Sequence, residues 1–161
     1  MAGRLTAENL CQYSMSKHAA IAFSDGLRRE CRKWGVKVST IEPIIYRTPM
    51  AGADYIGPEI ERQWRESPDS VRELYGQQYY DHFMARKDRF GSHWSSGTDI
   101  NEVLDPMVDA IRSSEPRIRY APAGKWFIQL ALSVAQHLPL ELYDYLFAHR
   151  SRREPKLAAL Q

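Results

Sequence analysis

The sequence has little net charge and few cysteines. Its 161 residues hold 22 Lys and Arg against 20 Asp and Glu, which gives a net charge of +2. This excess is too small to predict binding to nucleic acid. The two cysteines, Cys11 and Cys31, lie on one predicted helix. We therefore expect both to be free thiols in a reducing, intracellular compartment.

The sequence also lacks the long apolar segments that mark export or membrane insertion. The opening, MAGRLTAENL, has no apolar core, so we expect no signal peptide. The most apolar run, WFIQLALSVA at 126–135, falls well short of the ~20 residues that a membrane span needs. No internal repeat is present, and we predict no metal site. Because 43% of the residues are hydrophobic, one domain with its own core is expected.

Hydrophobic periodicity predicts a long first helix over residues 11–34, followed by a strand. Gly35 is a typical residue to end the helix. The segment VKVSTIEP at 36–43 is rich in β-branched residues and predicts a short buried strand that Pro43 ends. We expect the apolar stripe of the helix to face the sheet and to be left partly exposed in this chain alone. That stripe consists of Ala20, Phe23, Leu27, Cys31 and Trp34.

Two more helices are predicted after this strand. A helix in the middle of residues 44–97 is expected to begin at a Ser67 cap, with Pro68 at its first position. Its inner face would hold Val71, Leu74, Tyr75, Gln78 and His82. The next helix would follow a cap at Thr98, and Pro106 should kink or split it. Its apolar face would hold Ile100, Val103, Leu104, Met107, Val108 and Ile111.

The order of the elements indicates an α/β fold. RIRYAPA at 117–123 predicts a second strand, and an apolar pair of helices hinged near Pro139 follows it. Two strands separated by helices correspond to half of a Rossmann-like, doubly wound parallel sheet. Residues 44–97 would form a helical insert. Since two strands leave long sheet edges unpaired, we expect the 161 residues to be one incomplete domain.

Tyr13 and Lys17 form the candidate site for chemistry. They lie four residues apart, one turn along the predicted helix, at the edge of its apolar stripe. An ammonium near a phenol stabilises the phenolate, so such a phenol can exchange a proton with an alcohol or a ketone. The alternative is an ordinary solvated pair, because this spacing occurs by chance on many helices.

The residues around this pair resemble those of the short-chain dehydrogenase/reductase family. The matching run is YSMSKHAAIAFSDGLRREC, then GVKVSTIEP, then YRTPM, in the order found in the second half of that family. The ending RIRYAPAGKW with the later LP resembles one branch. That branch contains retinol dehydrogenases, 17β-hydroxysteroid dehydrogenases and membrane-bound 3-hydroxybutyrate dehydrogenases.

The resemblance implies a role for each of five positions. Tyr13 matches the catalytic acid/base, and Lys17 matches the residue that favours the phenolate and holds the nicotinamide ribose. Pro43, Ile44 and Thr48 match the segment that borders the nicotinamide, with Thr48 near its carboxamide. The implied cofactor is NAD or NADP, and the implied substrate is a small lipophilic alcohol or ketone.

The resemblance also divides the chain and assigns a substrate loop. Residues 11–48 match the catalytic helix and following strand, residues 49–97 the variable substrate loop, and residues 98–161 the carboxyl-terminal helix-strand-helix region. Aromatic side chains of the loop would wall a lipophilic pocket, with ordinary packing as the alternative for each of them. These are Tyr55, Trp64, Tyr75, Tyr79, Tyr80, Phe83 and Trp94.

Two departures from the family pattern bear on these expectations. Ile44 stands where the family has glycine, and its side chain needs room that glycine leaves to the cofactor. The family's catalytic serine, Gly-rich turn and adenosine-binding acidic residue have no counterpart in the 161 residues. We therefore expect this chain alone to be inactive and not to bind NAD(P) tightly.

The sequence leaves three functional hypotheses open. The first is the carboxyl-terminal part of an NAD(P)-dependent oxidoreductase. The second is a truncated module without catalytic activity that dimerises through the first helix, since this helix belongs to the face that builds dimer interfaces in the family. The third is a peripheral domain whose carboxyl-terminal helices contact a membrane, with the endoplasmic reticulum or the mitochondrion as the sites to consider.

Overall fold

The computed structural model describes most of the chain as two compact units. The described residues are 2–6, 10–46, 48–49, 53–92, 97, 99–151 and 155–160. The first unit combines Met1–Tyr46 with Gly97–His137, and the second combines Arg47–Ser96 with Leu138–Gln161. The predicted candidates Thr98 and Trp94 lie outside the described residues.

The first helix, α1, confirms the prediction from periodicity. It runs over Cys11–Cys31 and continues as a 3-10 helix over Arg32–Trp34. Gly35 then adopts the left-handed conformation with φ 71°, and its N–H donates to the carbonyl of Arg32 at 3.1 Å. Glycine adopts this conformation at no steric cost, so it ends the helix cleanly.

The face that α1 buries is not its apolar stripe. Phe23 and Trp34 of the stripe are 70% and 67% exposed, whereas Ser14 on the other side is 1% exposed. The segment 2–6 packs against α1 through Gly3, where a Cβ would lie 2.9 Å from the carbonyl oxygen of Lys17. Small residues permit this close approach, and the periodicity of the apolar residues does not reveal it.

A two-stranded parallel sheet joins the two halves of the first unit. Strand β1, Thr40–Ile41, pairs with β2, Arg119–Tyr120, with Thr40 opposite Arg119. The predicted α/β fold class is confirmed, but both strands are shorter than the predicted 36–43 and 117–123. Proline at 43 and 122 supplies no N–H to a ladder, which limits the regular pairing.

Backbone hydrogen bonds nevertheless extend the pairing beyond β1. The N–H of Glu42 donates to the carbonyl of Tyr120 at 2.7 Å, and the N–H of Ile44 donates to that of Pro122 at 3.2 Å. Tyr46 then forms an isolated parallel bridge with Gly97. The chain from 40 to 46 is therefore held against the second half of the unit along its whole length.

Helix α5, Asn101–Arg112, covers the sheet and is fixed to it by two phenols. Tyr46 Oη donates to Glu102 Oε2 at 2.8 Å, and Tyr120 Oη donates to Asp109 Oδ2 at 2.6 Å. Burial, and then the hydrogen bond to Glu102, raises the pKa of Tyr46 far above its ordinary value. Both tyrosines are buried and belong to the core, so α5 is anchored through hydrogen bonds as well as through packing.

Two expectations for α5 are wrong. Pro106 was expected to kink or split this helix, and the split is wrong: α5 is continuous through Pro106, because one proline removes a single hydrogen bond of the ladder. Of the predicted apolar face only Val103 is buried among the described residues, and Ile111 is 83% exposed. The first turn is served by Asp99, whose Oδ1 accepts from the N–H of Asn101 at 2.9 Å.

Two helices follow β2, as predicted, with Pro139 between them. Helix α6 runs over Trp126–Ala135 and belongs to the first unit. Helix α7, Leu140–Ser151, belongs to the second unit. The carbonyl of Pro139 accepts from the N–H groups of Leu142 and Tyr143 at 3.1 and 3.0 Å, so the proline stands where the second helix begins.

The second unit is helical in its described residues. It contains α2, Ala53–Glu66, α3, Asp69–Tyr75, and α4, Gln77–Ser92, together with α7 and a 3-10 helix at Ala158–Leu160. Helix α2 packs on α4, and α3 packs on the 3-10 helix.

The prediction of helix in the middle of residues 44–97 is confirmed, but the predicted cap at Ser67 is wrong. The Ser67 hydroxyl donates to the carbonyl of Gln63 at 2.8 Å, and Pro68 precedes α3. Gly76, with φ 81°, interrupts the helix. The residues predicted to share one inner face are therefore divided between α3 and α4. A single glycine with positive φ thus ends one helix within a stretch whose hydrophobic periodicity predicted a continuous helix.

Replacing Gly97 by alanine should destabilise the first unit. A Cβ at Gly97 would lie 2.2–2.6 Å from ring atoms of Tyr46, so Gly97→Ala should cost about 1–3 kcal/mol, as overpacking does. Urea unfolding followed by circular dichroism measures the change. The matched control is Gly26→Ala, because this glycine lies within α1 with nothing within 4 Å of its Cβ position, and the change should stabilise by about 0.5–1 kcal/mol. Equal midpoints for Gly97→Ala and the parent chain would contradict the close contact.

Candidate active site

Tyr13 and Lys17 lie together on the first turns of α1. The Lys17 Nζ is 5.2 Å from the centre of the Tyr13 ring, which is within the range of a cation–π interaction. Tyr13 is 52% exposed, and Lys17 is exposed as well. The phenol and the ammonium therefore share one side of the helix and are both accessible to a ligand.

The turn that carries Tyr13 is fixed by its neighbours. Ser14 is 1% exposed, and its N–H donates to the carbonyl of Leu10 at 2.7 Å. His18 Nδ1 donates to the carbonyl of Ser14 at 2.8 Å, and the Ser16 hydroxyl donates to that of Tyr13 at 2.7 Å. Tyr13 thus lies next to a buried residue in the first turn of α1, while its own ring stays open.

The other three predicted site residues are placed differently. Pro43 and Ile44 follow β1 and are half-buried along the sheet. Ile44 lines a pocket together with residues of α6, and its N–H is held by Pro122. Thr48 is exposed and belongs to the second unit. Tyr13 and Lys17 are thus neighbours on α1, whereas Pro43 and Ile44 follow β1. Thr48 belongs to the other unit, so the structure does not test whether it joins the same site.

A buried carboxylate directly before Pro43 is the strongest polar feature of the first unit. The side chain of Glu42 is 5% exposed. Its oxygens accept from Arg4 Nη2 at 3.1 Å and Nε at 3.2 Å, and they lie 3.1 Å from Arg119 Nε. The Thr40 hydroxyl donates to it at 3.0 Å. Sequence reasoning missed this cluster, although an acidic residue at the end of an apolar strand is a signal for it.

The charges around Glu42 decide its ionisation. Burial acts to raise the pKa of the Glu42 carboxyl, but the hydrogen bond from Arg4 and the charge of Arg119 outweigh burial, so the pKa lies below its ordinary value. The same hydrogen bond raises the pKa of Arg4. Glu42 is therefore ionised at neutral pH and holds both guanidinium groups.

The aromatic residues of the second unit pack largely against one another. The rings of Trp64 and Tyr80 stack at 4.9 Å with planes 18° apart, and those of Tyr75 and Tyr79 meet at 5.0 Å. These contacts are consistent with ordinary packing of the four rings, which was the alternative to their lining a substrate pocket. Tyr55 is exposed on α2 and Phe83 is half-buried on α4.

Neither a membrane span nor a metal cluster is found in the described part of the chain. Over those residues, none of the helices is both long and apolar enough to cross a bilayer. Within the same residues, no group of three or more His, Cys, Asp or Glu side chains is arranged to hold a metal ion.

The fold and the site define an α/β protein with a Tyr-x-x-x-Lys helix ahead of a parallel strand. The family model described as short chain dehydrogenase matches residues 1–56. The 17-beta-hydroxysteroid dehydrogenase type 6 of Rattus norvegicus is 42% identical over 146 residues, which cover 91% of this chain and 44% of the relative. The chain belongs to the short-chain dehydrogenase/reductase family.

Two further relatives place it in the expected branch. The mitochondrial D-beta-hydroxybutyrate dehydrogenase of Rattus norvegicus is 31% identical over 92% of this chain and 43% of its own length. Retinol dehydrogenase 16 of the same organism is 34% identical over 89% of this chain and 44% of its own length. The chain thus spans less than half the length of these curated relatives. No solved structure matches it significantly.

Acid should weaken the first unit through Glu42. A carboxyl whose pKa is lowered on folding stabilises the fold above its unfolded pKa of about 4.3 and loses this contribution as the pH falls through the folded value. Glu42→Gln should therefore cost about 1–3 kcal/mol at pH 7 and much less at acidic pH.

Urea unfolding at several pH values tests this expectation. Glu59→Gln is the control, because Glu59 makes an exposed pair with Arg62 on α2, and solvent screens such a pair so that its loss changes stability little. A destabilisation by Glu42→Gln that is equal at pH 7 and at acidic pH would disprove the electrostatic role.

Proposed function

We propose that this chain is the part of an NAD(P)-dependent oxidoreductase that carries the proton-transfer pair. The reaction is hydride transfer between the nicotinamide and the carbon of a secondary alcohol or ketone. The observation that supports this most directly is the pairing of an accessible Tyr13 phenol with the Lys17 ammonium on the first turns of α1. The whole reaction needs a cofactor-binding part, and the relatives are more than twice as long as the region matched here.

Each residue of the pair has a separate task in this proposal. In the reducing direction the Tyr13 Oη gives a proton to the carbonyl oxygen of the substrate, and in the oxidising direction the phenolate takes it back. Lys17 stabilises the phenolate by its charge and donates hydrogen bonds to a ribose hydroxyl. The nicotinamide, when bound, supplies or accepts the hydride.

The residues after β1 fit the cofactor less well than the pair does. Pro43 and Ile44 are proposed to border the nicotinamide and Thr48 to lie near its carboxamide. The backbone N–H of Ile44 is already paired with Pro122, and its side chain lines the pocket beside Glu42. The bulk that replaces glycine thus lies in that pocket, and the proposal assigns Pro43 and Ile44 to the border of the nicotinamide without a hydrogen bond from the Ile44 N–H.

The substrate class proposed here is a lipophilic secondary alcohol or a hydroxy acid, and the primary alcohol retinol extends it to alcohols whose oxidised product is an aldehyde. The printed names of the relatives include a 17-beta-hydroxysteroid dehydrogenase, a retinol dehydrogenase and a D-beta-hydroxybutyrate dehydrogenase. Steroids, retinol and hydroxybutyrate are therefore the compounds to assay first. The mitochondrial relative supports a search for the protein at an organelle membrane.

The exposed stripe of α1 favours a second proposal, dimerisation through this helix. Phe23, Leu27 and Trp34 lie on one side of α1 and are exposed, and small residues between them allow a second helix to approach closely. A face of this kind is suited to pack against its own copy. Dimerisation is compatible with the enzymatic proposal and also serves a non-catalytic module.

Helix α6 supports the third proposal, peripheral membrane contact. Trp126, Leu130 and Val134 recur every four residues on one side and are all more than half exposed. Lys125 precedes them, and α6 itself holds no acidic residue. A tryptophan and aliphatic side chains beside a cation suit the interface between lipid and water.

Tyr13→Phe should nearly abolish turnover in a protein that joins this chain to its cofactor-binding part. Loss of the proton donor should lower kcat by about 10²–10⁴-fold, while the Kd for the cofactor should change little because the ring remains. Lys17→Ala should impair both, since Lys17 serves the phenol and the ribose.

Steady-state kinetics with a steroid, retinol and hydroxybutyrate, together with cofactor titration, separate these effects. Met15→Leu is the control, because Met15 is exposed on the same turns of α1. Retention of more than about a tenth of kcat by Tyr13→Phe would refute acid/base catalysis by this residue.

A polar substitution in the stripe of α1 should shift the chain from dimer to monomer. Phe23→Ser removes the central apolar contact, and light scattering across a concentration series should show a dissociation constant raised by about tenfold or more, as for truncation of an interface hot spot. Ile111→Ser on α5 is the control, because Ile111 is similarly exposed outside the stripe. A dimer weakened equally by both changes would contradict an interface through α1.

A further inference from the structure

Helix α6 contributes polar residues as well as Leu132 to the lining of a pocket of the first unit, and its Ile128 is buried. Gln129 and Ser133 of α6 and the following Gln136 line this pocket, whereas Trp126, Leu130 and Val134 are exposed. The pocket, here named the arginine pocket, has six polar lining residues: Arg4, Glu42, Arg119, Gln129, Ser133 and Gln136.

The charges of the arginine pocket do not balance. Two guanidinium groups share the single carboxylate of Glu42, which is the one acidic group of the lining that the structure describes. Asp25 acts on Arg4 only at longer range, and its carboxylate pairs with Arg28 at 3.3 Å. The pocket thus carries one positive charge that a monoanion would complete.

Both guanidinium groups are oriented and still accessible. Arg4 is held by two hydrogen bonds to Glu42, and Arg119 Nη1 donates to Gln136 Oε1 at 3.0 Å. Their side chains remain 32% and 34% exposed. An arginine fixed in this way loses little entropy when its remaining N–H groups bind an anion, and its fork matches the geometry of a carboxylate.

The remaining lining selects among anions. Ile44, Ala121, Ala123 and Leu132 contribute aliphatic surface, which stabilises carbon atoms and offers no hydrogen bonds to the oxygens of inorganic phosphate. The Gln129 amide and the Ser133 hydroxyl add neutral donors. A short aliphatic carboxylate satisfies the charge, the donors and the apolar wall together.

We propose that the arginine pocket binds the carboxylate of a small aliphatic acid. Arg119 and Arg4 supply the charge, Gln129 and Ser133 supply further hydrogen bonds, and the alanines and Ile44 contact the aliphatic chain. The pocket is formed by residues of the first unit alone. It shares Ile44 with the proposed border of the nicotinamide, and the test below uses the chain without a cofactor, so its outcome is separate from that of the hydride transfer proposed above.

Titration of the 161-residue chain with propionate at constant ionic strength tests the proposal. Backbone amide signals in 118–123 and 126–136 should shift in a saturable manner. Arg119→Gln should weaken propionate binding by about tenfold or more, because a charge-assisted hydrogen bond is lost. Gln129→Leu, which leaves the ion pairs of Glu42 intact, should weaken it by about threefold or more, as loss of a neutral hydrogen bond does. Inorganic phosphate at the same charge concentration should bind more weakly than propionate.

Arg62→Gln is the matched control, because Arg62 lies on α2 of the second unit and pairs only with exposed glutamates in the structure described. It should leave propionate binding unchanged. If Arg119→Gln does not fold, the Gln129→Leu variant decides the question. Absence of saturable shifts, equal affinity in Gln129→Leu and the parent chain, or binding of phosphate in preference to propionate would each overturn the proposal.

Discussion

The first unit depends on the need of one buried carboxylate for positive partners. Glu42 follows β1 with its side chain 5% exposed, and an ionised carboxyl at such a position is costly unless it is paired and hydrogen-bonded. The partners come from three places: the opening segment through Arg4, β1 itself through Thr40, and β2 through Arg119. The carboxylate therefore fixes the segment that supports α1 and the strand that follows α5, although the two-stranded sheet provides few hydrogen bonds of its own.

The chain leaves the first unit after Tyr46 and returns to it at Gly97, and these two residues are neighbours in the structure. Tyr46 bridges Gly97, and the Gly97 N–H donates to the carbonyl of Ile45 at 2.9 Å. The Tyr46 hydroxyl is then held by Glu102 at the start of α5. Because both ends are fixed within the first unit, changes in the length or sequence of the segment between them need not disturb the sheet. This arrangement suits a segment that carries specificity on a constant scaffold.

Local sequence patterns predicted the positions of helices and strands better than they predicted which side of each helix is buried. The extent of α1, its end at Gly35 and the parallel pairing of two short strands follow from periodicity, a glycine and β-branched residues. The break at Gly76 was missed because the sequence does not show whether a glycine within a periodic segment adopts a positive φ. The buried side of α1 was missed because small residues mark it, the buried Ser14 and the Gly3 that approaches the carbonyl of Lys17, and small residues leave no apolar signal in the sequence.

The candidate site follows the same division. The pairing of Tyr13 with Lys17 was predictable, because two residues four positions apart on a helix are neighbours by geometry alone. The cluster of Arg4, Glu42 and Arg119 was not, because its members lie in three segments whose contact depends on the sheet register. Ion pairs between distant segments carry no periodicity and become visible only in the folded chain.

Ile44 shows how these two levels act together. A glycine at this position would leave space beside the strand, whereas isoleucine fills part of the arginine pocket and keeps its N–H on Pro122. Its branched side chain favours the extended backbone that continues β1 toward Tyr46. The substitution therefore adds apolar wall to a pocket that is otherwise lined by charge. Isoleucine at position 44 also restricts the backbone of the segment that leads to Tyr46, which bridges Gly97. One departure from the family pattern therefore affects both the arginine pocket and the point where residues 47–96 leave the first unit.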